Sequence, residues 1–353
     1  MSPKTFTAVL LTLSKFAFST PDAALPVPPT NFNQAPSGIP QGTISVSLSY
    51  PTRNHGNRLY SIYLPPGYST STQYPVLYLL HGLNDNEATG WVAQGAVRNI
   101  IDRLIAGGLA KPMIIVMPSG SLTQPTDFNG YAPFGDVLLN DLIPYIQANY
   151  PTATDADQRA LAGLSMGGGQ TLNFGFANPT VFHWIGAFSS APNTTVAGTT
   201  IPNATAIAQI NQNVRFSFFS CGTTDGLISH TNNYHTFFDQ NNITPHMYQL
   251  EQGQGHTWTV WQRSLYNFTQ RIFTVAPSNV FYPIKNDLRA ETLDRSSLAL
   301  APNKILAVRP GHRLAGEEYF SLDGRAVPAI RERQVRPGKE ARSSDPNRSP
   351  PGQ

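Results

Sequence analysis

Two short, uninterrupted apolar runs, PVLYLL (75–80) and PMIIVMP (112–118), enclose a segment of different period, and this arrangement narrows the fold more than any other feature. A strand with one face in water alternates apolar and polar side chains, whereas a continuous run needs cover on both faces. Between the two runs, VRNIIDRLIAGG sets Val97, Ile100, Ile101, Leu104 and Ile105 on one helical face and stops at Gly107-Gly108. A strand, a helix and a second strand in succession imply parallel pairing with the helix crossing over one face. The alternation continues: a helix in DVLLNDLIPYIQAN, a strand at RALAG, strands at HWIGAFSS and VRFSFFSCG, a helix in SHTNNYHTFFDQN, a strand at HMYQLEQ and a last helix in TVWQRSLYNFTQRIF. The pattern predicts an α/β fold with a mainly parallel, doubly covered sheet. Ahead of it, TISVSLSY and RLYSIYLP alternate apolar and polar residues around the turn-rich NHGN, which predicts an N-terminal antiparallel hairpin.

The flanks read differently. Residues 1–19 carry Lys4, the apolar run Phe6–Leu13 and the small–x–small triplet Ala17-Phe18-Ser19, the layout of a signal peptide, although Lys15 interrupts it. Residues 20–42 are rich in proline and small polar residues and read as a linker, so structure is expected to start near Thr43 and to run to about 274. Beyond Val275 the periodicity dissolves into Pro, Arg and Ser, the composition of a poorly ordered tail dispensable for folding. That tail holds 13 Lys/Arg against 9 Asp/Glu, leaving 11 against 12 in the rest of the 353 residues. A near-neutral body argues against nucleic acid or an anionic membrane as partner. The single cysteine, Cys221, permits no intramolecular disulfide. Asn193, Asn203, Asn242, Asn267 and Asn347 stand in glycosylation sequons, which matter only for a chain exported from a eukaryotic cell.

The chemistry is concentrated at LAGLSMGGGQ (161–170). Gly163-Leu164-Ser165-Met166-Gly167 fits G-x-S-x-G and sits between a predicted strand and a predicted helix, where the motif has a mechanical meaning. A serine at a sharp strand-to-helix turn has strained backbone angles, and its neighbours two positions away must lack side chains for strand and helix to approach. Its hydroxyl then stands at the carboxyl end of the sheet, near the positive end of the helix.

A serine hydroxyl attacks only when a base takes its proton and an acid orients that base. Of eight histidines, His256 in EQGQGHTWTVW lies in a glycine-rich loop between the last predicted strand and helix, over the same sheet edge. His81 falls in a strand-end loop before the serine; His230, His235 and His246 belong to surface elements, and His55, His183 and His312 are no more distinctive. In hydrolases of this construction the acid comes between serine and histidine. Asp225 follows the apolar strand in FSFFSCGTTDGLI directly, whereas Asp239 closes a helix and is the less suitable alternative. The developing oxyanion needs two donors. The backbone N–H of Met166, next after the serine, and that of Leu83, in the His81-Gly82-Leu83 loop, are the natural candidates. Trp91, Tyr131, Trp258 and Trp261 fall in or beside loops on the same face and are candidates for stacking on a sugar or phenolic ring.

Taken together, LLHGLNDNEATGW, IIVMPSG, GLSMGGGQTLNFGFANPTVF, CGTTDGLI and GQGHTWTVW resemble carbohydrate esterase family 1, the family of feruloyl and acetylxylan esterases, over about residues 43–273. The resemblance implies an α/β-hydrolase fold, neither metal nor cofactor, and a triad of Ser165, Asp225 and His256, in agreement with the assignments made from the residues. Joined with the leader-like N-terminus, which predicts secretion, it implies an enzyme whose partners are feruloylated or acetylated xylan and arabinoxylan oligosaccharides. The wider superfamily includes formylglutathione hydrolases, siderophore esterases and mycolyltransferases. A hydrolase scaffold that has lost its chemistry and serves only in binding is a further alternative.

Overall fold

The computed structural model describes residues 27–123, 131–192 and 204–274. The segment read as a signal peptide, the tail from 275 onward and the sequons at Asn193, Asn203 and Asn347 lie outside these residues. Strands β1 (Thr43–Pro51), β2 (Asn57–Leu64), β3 (Val76–Leu80), β4 (Ile114–Pro118), β5 (Arg159–Leu164), β6 (Trp184–Phe188), β7 (Phe216–Gly222) and β8 (His246–Glu251) form one sheet in the order β1-β2-β4-β3-β5-β6-β7-β8. β1 and β2 make the expected antiparallel hairpin, β2 pairs antiparallel with β4, and the pairings from β4 to β8 are parallel. This is the mainly parallel α/β sheet that the alternation predicts, and it is consistent with the α/β-hydrolase fold that the resemblance implies.

The continuous apolar strands are explained by what covers them. Along β3, Val76, Tyr78 and Leu80 join one buried cluster and Leu77 and Leu79 the other. The first cluster takes in α4 (Met166–Ala177) through Leu172 and Phe174, and a helical stretch of three segments. These are α2 (Phe134–Val137), a π-type turn (Leu138–Leu142) and α3 (Ile143–Asn149). The opposite cluster takes in α1 (Val97–Ala106) and α7 (Trp258–Thr269), through residues such as Ile101, Leu104, Trp261 and Phe268. Burying each such side chain contributes about 1.5–3 kcal/mol. Helices α5 (Ala204–Asn213) and α6 (Ile228–Gln240) are the remaining α-helices among the described residues, which also include a π-type turn at Thr89–Gln94 and a short 3-10 turn at Ala156–Gln158; α5 buries only Ile210, too sparse an apolar face to leave a periodic trace.

Two expectations need amendment. Residues 27–42 form no strand or helix, yet they are fastened to the body rather than spanning as a linker. Phe32 is buried edge-on against Tyr266, Asn33 Nδ2 donates to Gln262 Oε1 at 2.7 Å, and the Gly42 N–H donates to buried Asp102 at 2.9 Å. Prolines prevent regular structure there without preventing packing. The Asn267 sequon is buried, its Nδ2 donating to Gln249 Oε1 at 2.9 Å, so no glycan fits on the folded chain. Asn242 is exposed. Cys221 is a buried strand residue whose thiol is pushed up to about 11, chiefly by burial, and so stays protonated.

A close approach at the carboxyl end of the sheet is at Gly163, where a Cβ would stand 2.4 Å from the Gly167 carbonyl oxygen. Gly226 has open space around the corresponding position. Gly163→Ala is therefore expected to lower stability by about 1–3 kcal/mol, and Gly226→Ala to leave it within ~0.5 kcal/mol, both read from chemical denaturation midpoints.

Candidate active site

Ser165 occupies the turn between β5 and α4 with φ 53° and ψ −116°, in a region that non-glycine residues rarely enter. Such a backbone costs about 1–3 kcal/mol and persists only when its surroundings enforce it. They do so on three sides. The Ser165 N–H donates to the Phe188 carbonyl at 2.9 Å and its own carbonyl accepts from the Ala191 N–H at 2.9 Å, which ties the turn to the end of β6. A Cβ at Gly167 would lie 2.5 Å from the His81 carbonyl oxygen and 2.6 Å from that of Leu80, so the helix starts in contact with the end of β3. Gly168, which the motif leaves unexplained, sits against the β6 end, where a Cβ would be 3.0 Å from both the Phe188 oxygen and the Ser190 Cα.

The acid and the base come from the neighbouring loops. Asp225 follows β7, and His256 lies between β8 and α7. The two loops are packed back to back: a Cβ at Gly222 would stand 2.1 Å from the Gln254 carbonyl oxygen, and the Thr224 N–H donates to that same oxygen at 3.0 Å. As a result His256 Nδ1 is 2.9 Å from Asp225 Oδ2 and His256 Nε2 is 2.9 Å from Ser165 Oγ. A carboxylate accepts only, so Nδ1 carries the proton and Nε2 is left to accept from the serine hydroxyl. Asp225 is 3% exposed. Burial pushes its carboxyl up, but hydrogen bonds from His256 and from the Leu227 N–H, at 2.9 Å, outweigh this and hold it below the usual carboxylate range. The alternative acid, Asp239, lies elsewhere and faces His235 and His246 instead.

Leu83 lines the cleft beside Ser165. Its peptide plane is held by a network that sequence reasoning does not reveal. The Gly82 carbonyl accepts from His81 Nδ1 at 2.7 Å and from the Tyr131 hydroxyl at 3.1 Å. With its proton on Nδ1, His81 accepts the Gly120 N–H on Nε2 at 2.9 Å, so one tautomer satisfies both contacts. Gln170, on the helix that begins after Ser165, donates to the Gly120 carbonyl at 2.9 Å and to the Tyr131 carbonyl at 2.8 Å. In a trans peptide the N–H points opposite to the C=O. Two donors fixing the Gly82 oxygen therefore aim the Leu83 N–H the other way. Met166 is the first residue of α4, where an N–H has no partner within the helix.

The cleft, of about 280 Å³, is lined by Gly82, Leu83, Asp85, Ser165, His256 and Trp261, among others. The four aromatic candidates separate here. Trp261 lines the cleft with its ring edge-on to His256 at 4.8 Å, and its indole nitrogen has no hydrogen-bond partner among the described residues. Trp258 is half-buried between Trp261 and Trp91, at 5.1 and 5.4 Å. Trp91 is buried, donating to the Leu80 carbonyl at 2.9 Å, and Tyr131 is buried under the Gly82 loop. Neither of these two is placed to stack on a substrate; both support the site from below. Asp85, which the motifs do not single out, also lines the cleft, and burial raises its carboxyl above the usual range.

A family model described as "Putative esterase" matches residues 54–272. The chain belongs to this esterase family. The endo-1,4-beta-xylanase/feruloyl esterase of Xylanibacter ruminicola is 32% identical over 227 residues, which are 60% of this chain and 29% of that relative. This chain thus spans under a third of the length of that curated relative. The solved structure of a CE1 ferulic acid esterase from Anaeromyces mucronatus, in complex with ferulic acid, superposes with a TM-score of 0.61 at 26% identity, over 70% of this chain and 96% of that one. These likenesses make the protein a CE1-like esterase. An S-formylglutathione hydrolase of Staphylococcus aureus, at 18% identity and a TM-score of 0.50 over 64% of this chain and 96% of its own, shares the fold alone.

Two predictions follow from the electrostatics and the network of the esterase. Burial lowers the His81 pKa below 6.5, against smaller opposing effects of the Gly82 hydrogen bond and Glu87. Below pH 6.5 the unfolded chain takes up a proton that folded His81 refuses, so stability is full above that pH and falls as the pH drops through it. Asp225, with its pKa held below 3.8, acts at lower pH: its contribution is present above that value and is lost as the pH falls through the folded pKa. Denaturant midpoints measured from pH 8 to 3 should decline in two stages. Tyr131→Phe, which removes one of two donors to the Gly82 oxygen, should cost about 1 kcal/mol of transition-state stabilisation, a roughly five-fold fall in kcat with KM little changed.

Proposed function

We propose that the esterase is a secreted serine hydrolase of plant cell-wall polysaccharide that releases ferulic acid from feruloylated arabinoxylan. The observation that carries the chemistry is the hydrogen-bonded chain from Ser165 through His256 to Asp225, open to the cleft. Ser165 Oγ attacks the ester carbonyl while His256 Nε2 takes its proton, and the oxyanion accepts hydrogen bonds from the Leu83 and Met166 N–H groups. His256 then gives its proton to the departing sugar oxygen, which leaves as a hydroxyl, and the acyl group remains on Ser165. A water deprotonated by His256 attacks that ester, and the carboxylic acid leaves as the proton returns to Ser165. Asp225 keeps the His256 proton on Nδ1 and stabilises the imidazolium formed in each half-reaction.

The feruloyl assignment is supported by the relatives named for that activity and by the aromatic wall that Trp261 gives the cleft. Removal of acetyl groups from xylan is the second reading; it is favoured by the cleft's modest volume, about 280 Å³, near the lower end of ligand-site sizes. Export rests on the leader-like residues 1–19, and a mature N-terminus near residue 20 in protein recovered from culture medium would support it.

Turnover of methyl ferulate and of acetylated xylan, compared at equal enzyme concentration, separates the two substrates. The feruloyl reading expects kcat/KM on methyl ferulate to exceed acetate release by a wide margin, and the reverse order would replace it with the acetyl reading. Ser165→Ala should lower kcat on either by roughly 10⁴-fold or more with an unchanged circular dichroism spectrum. Retained activity in that variant would overturn the mechanism.

A further inference from the structure

The base of the α6–β8 unit carries three metal-ligating side chains that the ester chemistry does not use. Asp239, near the end of α6, has Oδ1 3.1 Å from His246 Nε2 and Oδ2 3.5 Å from His235 Nε2. His235 and Asp239 are one helical turn apart and so share a face of α6, and His246 opens β8 beside them. One ligand atom from each of the three lies within 4.8 Å of the others.

The protons of this cluster do not balance without a further positive charge. His246 Nδ1 is 2.7 Å from the Ile243 carbonyl oxygen, which can only accept, so Nδ1 bears the hydrogen. In the neutral ring Nε2 is then a bare lone pair, and it faces a carboxylate oxygen at hydrogen-bond distance with no hydrogen between them. The ring cannot turn away cheaply, since its side chain is 6% exposed and packs edge-on against Phe238 and tilted against Phe219. His235 is held as well, stacked on Tyr248 with centroids 4.3 Å apart, and its buried Nδ1 has no hydrogen-bond partner among the described residues. The carboxylate, 41% exposed, leaves the cluster open to solvent on one side.

We propose that His235, Asp239 and His246 form a binding site for a divalent transition-metal ion of the zinc type, held by both Nε2 atoms and one Asp239 oxygen. Ligands at zinc–nitrogen and zinc–oxygen distances of about 2.0–2.2 Å around a tetrahedron are roughly 3.3–3.5 Å apart; each Nε2 stands near that distance from its own oxygen of the Asp239 carboxylate, 3.1 Å to Oδ1 and 3.5 Å to Oδ2, and with all three ligand atoms within 4.8 Å of one another the side chains need only draw in around the ion. Two imidazoles and one carboxylate select zinc and its neighbours over calcium and magnesium, which require mainly oxygen ligands. Water completes the coordination from the open side.

The site lies away from the cleft. Helix α6 begins three residues after Asp225 and reaches His235 seven residues later, about 10 Å along its axis. Strand β8 starts at His246 and ends five residues before His256. A metal here staples the far end of the two elements that carry the acid and the base, and its effect is on stability and not on ester chemistry.

Untagged protein stripped with a chelator and titrated with zinc chloride by calorimetry tests this. One equivalent should bind and raise the melting temperature, and cobalt(II) should give visible bands of a low-coordinate nitrogen–oxygen site. Asp239→Asn and His235→Gln, both at solvent-accessible positions, should each weaken zinc roughly ten-fold or more and abolish the thermal shift, while metal-free ester turnover stays at the parent level. His256→Gln should retain the single equivalent, which excludes zinc bound at the triad. The absence of saturable binding, or binding unchanged in both cluster variants, would overturn the proposal and leave Asp239 as the ion-pair partner of a protonated His246.

Discussion

The geometry of the cleft depends on one backbone contact. Gly163, near the end of β5, meets Gly167, in the first turn of α4, so closely that a Cβ on Gly163 would collide with the Gly167 carbonyl oxygen, while a Cβ on Gly167 would collide with the Leu80 and His81 carbonyl oxygens at the end of β3. That contact compels Ser165 into its positive φ and keeps the hydroxyl at the carboxyl end of the sheet. The strain is sustained from outside the motif, by the Phe188 carbonyl, the Ala191 N–H and the ends of β3. The serine is therefore held by the sheet, and the sheet in turn by apolar cover on both faces.

The same economy of backbone contacts recurs at the other two positions of the proposed triad. The Asp225 and His256 loops touch through Gly222 and Gln254, so acid and base are registered against each other before either reaches the serine. Beneath Leu83, the His81–Gly120–Gln170–Tyr131 network couples the Leu83 loop to α4, the helix that follows Ser165. A displacement of that helix would disturb the Ser165 hydroxyl and the Leu83 and Met166 N–H groups together. Preorganised donors of this kind account for a large part of catalysis in hydrolases, because they need not reorient as charge develops.

The parts of this arrangement that sequence can reveal are those with a period or a fixed spacing. The buried strands, the crossover helices and the order of Ser165, Asp225 and His256 all belong to that class. Features made of single contacts between distant segments do not. Gln170 acts through the Gly120 carbonyl, 50 residues away, and His81 through the Gly120 N–H, 39 residues away, and no spacing in the sequence marks these contacts. Trp91 and Tyr131 show the complementary limit: loop position placed them on the right face but not the direction of their side chains, and both turn inward. Proline content likewise signalled the lack of regular structure in residues 27–42 without disclosing that Phe32 is buried.

The central claim is that Ser165 is made nucleophilic by its elbow and by His256. The most direct measurement is covalent labelling with a fluorophosphonate, followed by intact mass and peptide mapping. The account predicts one adduct per chain, located on Ser165, and its loss in His256→Ala protein that retains the parent circular dichroism spectrum. An unlabelled parent protein, an adduct on another residue, or undiminished labelling of the His256→Ala variant would contradict it.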